Sequence, residues 1–180
     1  AVIRVITFEL PEPNEIGIPD PVMSFYNLSK GLVLVTGPAG SGKSTTLACL
    51  VDKINHSMEK HIITLEDPIE YLHRHDKSIV SQREINVDTE SYVNALRASL
   101  RQSPDVILLG EMRDYETIQA ALLAAETGHL VLSTLHTTGA TQTVERIIDA
   151  CPTSGQNQVR IQLAGTLKGI ISQCCLLYTS

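Results

Sequence analysis

Residues Val35 to Thr46 read VTGPAGSGKSTT, which sets three glycines, a lysine and a run of hydroxyls between an apolar run and a helix-forming one. Gly37, four residues, then Gly42-Lys43-Ser44 is the spacing of a phosphate-binding loop, where backbone N–H groups at a helix N-terminus surround a polyphosphate. Gly37, Gly40 and Gly42 open backbone conformations closed to residues with a Cβ, so successive N–H groups can converge on one anion. Gly37, Pro38, Ala39, Gly40, Ser41, Gly42, Lys43, Ser44 and Thr45 are therefore read as the phosphate site. Lys43 is expected to meet the β- and γ-phosphates as a point charge, and the Ser44 hydroxyl to ligate Mg²⁺.

Hydrolysis of a nucleotide also needs a group that orients or deprotonates water, and positive charge for the developing negative charge on the γ-phosphoryl oxygens. DVILLGEMRD is an apolar run with Glu111 at its tip, the expected position of a water-polarising carboxylate. The common pattern has Asp before that Glu, and Gly110 stands in its place. TLEDPIE supplies a second acidic cluster, Glu66-Asp67, whose alternative reading is the acidic first turn of a helix. His136, after the run LVLSTL, is placed to sense a γ-phosphate, or serves as a structural histidine. Arg97 and Arg101 lie at i, i+4 on one expected helix face, and Arg113 lies just beyond Glu111. Read blandly these arginines form surface salt bridges. Read together they suit an oligomer in which one subunit completes the site of the next. His56, His61, His73 and His75 sit in polar surroundings and are expected to be solvated.

The elements that must position these groups alternate along the chain. From Gly31 the run order is strand Leu32–Val35, helix from Lys43, strands HIITLED and SIVSQRE, helix SYVNALRASLRQS, strand DVILLGE, helix DYETIQAALLAAET and strand HLVLSTL. Two closing helices are predicted, TQTVERIIDA and QVRIQLAGTLKGIIS. Apolar strands interleaved with amphipathic helices imply an α/β fold, a mainly parallel sheet with helices on both faces. Ligands in such sheets bind beyond the carboxyl ends of the strands. Thr36-Gly37, Glu66-Asp67, Gly110-Glu111 and Leu135-His136 all fall at such ends. AVIRVITFEL alternates as a strand does, and the proline-dense PEPNEIGIPDP reads as a linker arm.

Composition narrows the classes. At 180 residues the chain can bury one core, and its formal net charge of -6 and lack of Trp argue against a nucleic-acid partner. The four cysteines lack paired CxxC spacing, so reduced thiols in a cytoplasmic protein are expected. No apolar run is long enough to span a bilayer, so no direct membrane insertion is expected. A guanine-reading NKxD sequence is missing, which disfavours a GTPase switch.

TGPAGSGKSTTLA, ITLEDPIEY, ALRASLRQSPDVILLGEMRD and AAETGHLVLSTLHTTGA resemble, in order, the Walker A, Asp box, Walker B and His box of the secretion and pilus motor ATPases. Within that superfamily QRE, GEMRD, AAETGHLV and ERIIDACP are closer in wording to the type IV pilus retraction branch than to the extension or type II secretion branches. The resemblance implies a RecA-like P-loop NTPase core that uses ATP and Mg²⁺, with Glu111 as catalytic glutamate, Glu66 in the Asp box and His136 in the His box. It implies that Arg97, Arg101 and Arg113 are family arginines. It also implies a homo-hexamer that meets the inner-membrane platform protein and pilus machinery, cytoplasmic and peripheral at the inner face of the membrane. Residues 1–30 are then expected to be the end of an N-terminal domain plus the linker arm, 31–173 a C-terminally truncated ATPase domain, and 174–180 an anomalous tail. A pilus-extension or type II secretion ATPase is the near alternative, and a hexameric nucleic-acid translocase the distant one.

Overall fold

A computed structural model describes residue 6 and residues 9–174. The strand expected in AVIRVITFEL falls mostly outside the described residues. The arm that follows closes into a short helix α1 (Asp20–Met23) and a single 3₁₀ turn (Ser24–Asn27). The remaining elements are β1 (Gly31–Thr36), α2 (Lys43–Ser57), β2 (His61–Glu66), β3 (Ile79–Glu84), α3 (Tyr92–Ser99), β4 (Val106–Leu109), α4 (Tyr115–Glu126), β5 (Leu130–Leu135), α5 (Ala140–Asp149), α6 (Gln156–Thr166) and β6 (Leu167–Ser172).

All six strands form one sheet in the order β3-β2-β4-β5-β1-β6, and every pairing is parallel. Side chains alternate between its faces as the strand period requires. Leu32, Leu34, Ile63, Leu65, Ile107 and Leu109 point toward α3, α4, α5 and α6. Val33, Val35, Ile62, Val106, Leu108 and Leu132 point toward α2, with Phe25 and Tyr26 of the arm closing the same side. Both faces are covered, which is why β1, β4 and β5 are buried at every position.

The second closing helix is shorter than its periodicity predicts. α6 stops at Thr166, and Leu167–Ser172 is a strand on the open edge of β1. Packing decides this. The Phe25 ring lies on Gly169, where any Cβ would collide with it, and β6 supplies the neighbour that β1 needs on its second side. The arginine helix is also interrupted. α3 ends at Ser99, whose hydroxyl donates to Ala95 O at 2.8 Å, and Arg101 sits on a 3₁₀ turn closed by Ser103 at φ 52°. Arg97 and Arg101 therefore do not share one continuous α-helical face.

Register brings the strand ends level. Thr36 pairs with Leu135 and Ser172, Glu66 with Glu84, and Leu65 with Leu109. The residues that follow those strands, Gly37, Asp67, Gly110, His136 and Gln173, thus share one edge of the sheet. Among the described residues no helix is long and apolar enough to cross a membrane.

Candidate active site

The turn after β1 wraps the start of α2. Gly42 caps α2 in a left-handed conformation, φ 88°, which directs the first-turn N–H groups outward and which a side chain would resist. Lys43 is only 8% exposed. Its Nζ donates to Gly37 O at 3.0 Å and Pro38 O at 2.8 Å. Burial pulls its ammonium below the ordinary lysine value, and the charges of Glu111 and Glu70 oppose that shift. The Ser41 hydroxyl is buried with no hydrogen-bond partner. A buried cation beside an unpartnered hydroxyl and outward N–H groups fits an oxyanion-rich ligand.

A cleft of about 260 Å³ opens beside this loop, lined by Lys43, Ser44, Glu66, Asp67, Glu70, Glu111, Arg113 and His136 among others. The structure thus brings together the loop, both acidic strand ends, the histidine and one arginine. Arg97 and Arg101 are exposed and stand outside the cleft.

Glu111 follows β4 and is 9% exposed. Arg113 forms an ion pair with its Oε1, and His136 Nε2 lies 3.6 Å from its Oε2. Asp114 caps α4 by accepting from Thr117 N at 2.8 Å, so the short segment that carries Glu111 is fixed at both ends. Gly110, at the position of the missing Asp, has a physical reason. A Cβ there would lie 2.8 Å from the Tyr92 hydroxyl, which occupies that space from α3. Burial, then the charges of Glu111 and Asp67, hold the Tyr92 phenol above its ordinary value, so it stays an O–H donor.

Glu66 accepts from Thr64 Oγ1 at 2.6 Å and from Gln82 Nε2 at 3.3 Å. Burial raises its pKa above the ordinary carboxylate value and favours the neutral form, and those bonds pull it back. No helix follows Asp67-Pro68, so the helix-cap reading of this cluster is set aside.

Several groups were not visible in the sequence. Glu70 accepts from the Ser44 hydroxyl at 3.1 Å, and Tyr71 OH pairs with Thr45 Oγ1 at 3.0 Å. Both come from the loop after β2, which folds back over the first turn of α2. His73, expected in solvent, has a side chain only 3% exposed, because that loop presses it against α2. Its Nδ1 has no hydrogen-bond partner, and burial holds it below the ordinary histidine value. The donor set at Ser44, a hydroxyl with a carboxylate beside it, fits a hard oxygen-seeking cation such as Mg²⁺.

Comparison with known proteins places this geometry in context. The sequence model of the family described as T2SSE, Type II/IV secretion system protein, matches residues 7–177. The chain is 50% identical over 171 residues to the uncharacterized protein YggR of Escherichia coli (strain K12), covering 95% of this chain and 52% of that one. It is 49% identical over 173 residues to the type IV pilus retractation ATPase PilT of Pseudomonas aeruginosa, covering 96% and 50%. A solved structure described as the pilus retraction motor PilT with bound ADP matches at TM-score 0.89 and 56% identity, over 93% of this chain and 49% of that one. The chain spans about half the length of the curated relatives it matches.

Proposed function

The chain belongs to the type II/IV secretion system protein family, and on that premise we propose that it is the ATP-hydrolysing core of a motor that drives type IV pilus retraction. One observation carries the reading. Lys43 and Ser44, from the first turn of α2, and Glu66, Glu111 and His136, from three separate strand ends, line one cleft. Retraction, rather than extension or type II secretion, is supported by the identity with the retraction ATPase and the wording of GEMRD and AAETGHLV.

In this reading the loop from Gly37 to Thr45 surrounds the phosphates with its backbone N–H groups, of which Pro38 has none. Lys43, which donates to the loop carbonyls here, would hold phosphate oxygens, and Ser44, which donates to Glu70 here, would hold Mg²⁺. Bound Mg²⁺ would offset charge on the transferring phosphoryl group. Glu111 orients water and accepts its proton, and His136 supports the opposite carboxylate oxygen. Arg97 and Arg101 are exposed and outside the lining of their own cleft, which suits delivery to a neighbour's site in a ring, a homo-hexamer at the cytoplasmic base of the pilus platform. Residues 1–30 are the end of an N-terminal domain plus the linker arm, and 31–173 carry the chemistry.

The test is ATP hydrolysis by the full-length protein across a concentration series, with and without Mg²⁺, beside Glu111→Gln. Turnover that rises with assembly, needs Mg²⁺ and disappears in the variant while ADP still binds supports the motor. Restored twitching in a retraction-deficient strain separates retraction from extension or secretion. Binding without Glu111-dependent turnover leaves a nucleotide-gated switch instead.

A further inference from the structure

The end of β6 touches more of the site than its place at the sheet edge requires. The ladder with β1 closes at Thr36 and Ser172. Gln173, one residue past it, still donates its N–H to Thr36 O at 2.7 Å. Its side-chain amide donates to Thr46 Oγ1 at 2.7 Å, in the first turn of α2. Its backbone carbonyl lies so close to Gly37 that a Cβ on Gly37 would collide with it. The phosphate loop is therefore braced at both its start and its end by one residue that is 136 positions away from Gly37 in the chain.

Ser172 reaches the other way. Its Oγ accepts the Gly139 N–H at 2.9 Å, and Gly139 lies three residues after His136 in the same loop. The Thr36 hydroxyl donates to that same Oγ at 3.4 Å. Two consecutive residues thus join the phosphate loop to the histidine loop through side chains, across β1.

The amide of Gln173 is held in this pose at a cost. Its Oε1 is buried without a partner, as is the Ser41 hydroxyl in the loop it braces. An unpartnered buried acceptor destabilises the fold, so the orientation is set by the Thr46 contact and not by satisfaction of the amide itself.

From these contacts we infer that Ser172 and Gln173 are positioning residues that hold the phosphate loop and the His136 loop in fixed relation. The inference rests on the ATPase reading above. Glycine-rich loops have little side-chain packing to locate them, and a misplacement of about 1 Å in a site can cost on the order of 100-fold in rate. Ser172 and Gln173 supply the location from outside the loop. They touch no expected ligand atom, so they act through Thr46, Gly37 and Gly139.

The experiment is a double-mutant cycle on the full-length protein. Gln173→Met keeps the length and packing of the side chain but removes the amide, and Ser172→Ala removes the acceptor for Gly139. Each is expected to lower kcat about tenfold, with KM for ATP and melting temperature nearly unchanged. Ser172→Thr, which keeps the hydroxyl, restores turnover. Ser172→Ala adds nothing to the loss caused by His136→Ala, because both remove the same arrangement. Multiplying losses, losses that track melting temperature, or a fully active His136→Ala protein overturn the inference while leaving the motor reading intact. A wild-type protein without turnover overturns both.

Discussion

Arg113 and Glu111 form an ion pair across a steep change in environment, with side-chain exposures of 72% and 11%. The carboxylate is anchored inside the cleft, and its cation stands at the mouth. Together with His136 at the other oxygen, this leaves Glu111 few alternative orientations.

Glu111→Gln keeps the shape of the side chain and removes its basicity. The expected outcome is a fall in kcat of roughly 10² to 10⁴, the range of a positioned general base, with ADP affinity within about threefold. Steady-state hydrolysis and equilibrium titration of a fluorescent ADP measure the two separately. An active Gln variant would remove Glu111 from the chemistry.

Arg97 and Arg101 are exposed and outside their own cleft, so Arg97→Ala and Arg101→Ala should change stability by no more than about 0.5 kcal/mol. Each should nevertheless abolish turnover. Mixing Arg97→Ala subunits with Glu111→Gln subunits should recover about a quarter of wild-type activity, since some interfaces in a mixed ring then pair an intact arginine with an intact glutamate. If the mixture stays dead, the arginines do not act across the interface.

Glu66 sets a pH dependence of one sign. Burial favours its neutral form over the ordinary carboxylate value of 4.5, so the stabilisation is complete below that value and is lost as pH rises through the folded-state value. Glu66→Gln should melt with wild type in acid and above it near neutrality. Urea midpoints of both proteins across pH check this, and a constant gap would contradict it.

His73 sets a dependence of the opposite sign. Burial favours the neutral ring, which is stabilising above the ordinary value of 6.5 and increasingly costly as pH falls below it. Asp52, with Oδ1 4.0 Å from Nδ1, offsets part of that cost. His73→Phe should flatten the decline in melting temperature below that value relative to wild type. Parallel curves for the two proteins would refute the assignment.

The sequence made the strand-end cluster readable because each apolar run stops at a polar residue, and a parallel sheet aligns those stops. Val35 into Gly37 and Leu109 into Glu111 needed no tertiary knowledge. The contacts of Glu70, Tyr71 and His73 were hidden because they depend on the loop after β2 folding back on α2, and loops of that kind carry no period. His73 looked solvated for the same reason. The run Gln158 to Ser172 misled because Val159, Leu163 and Leu167 keep helical spacing past the true end of α6. Gly165 and Gly169, weak helix formers, were the local signal of the change. Gln173 was overlooked because its partners lie more than 120 residues away.

The sheet order also dictates when the site can come into being during synthesis. Among the described residues β1 is the first strand of the sheet, yet both its neighbours, β5 and β6, follow β2, β3 and β4 in the chain. β2, β3 and β4 can pair with one another earlier. The nascent protein must therefore keep GLVLVTG unpaired until Leu130 onward has left the ribosome, and the glycine-rich turn after β1 gains its contacts with Gln173 later still. Long-range closure of this kind is slow and exposes an apolar strand in the meantime. The segment that reads most plainly in the sequence is thus completed only after β2, β3 and β4 have been made.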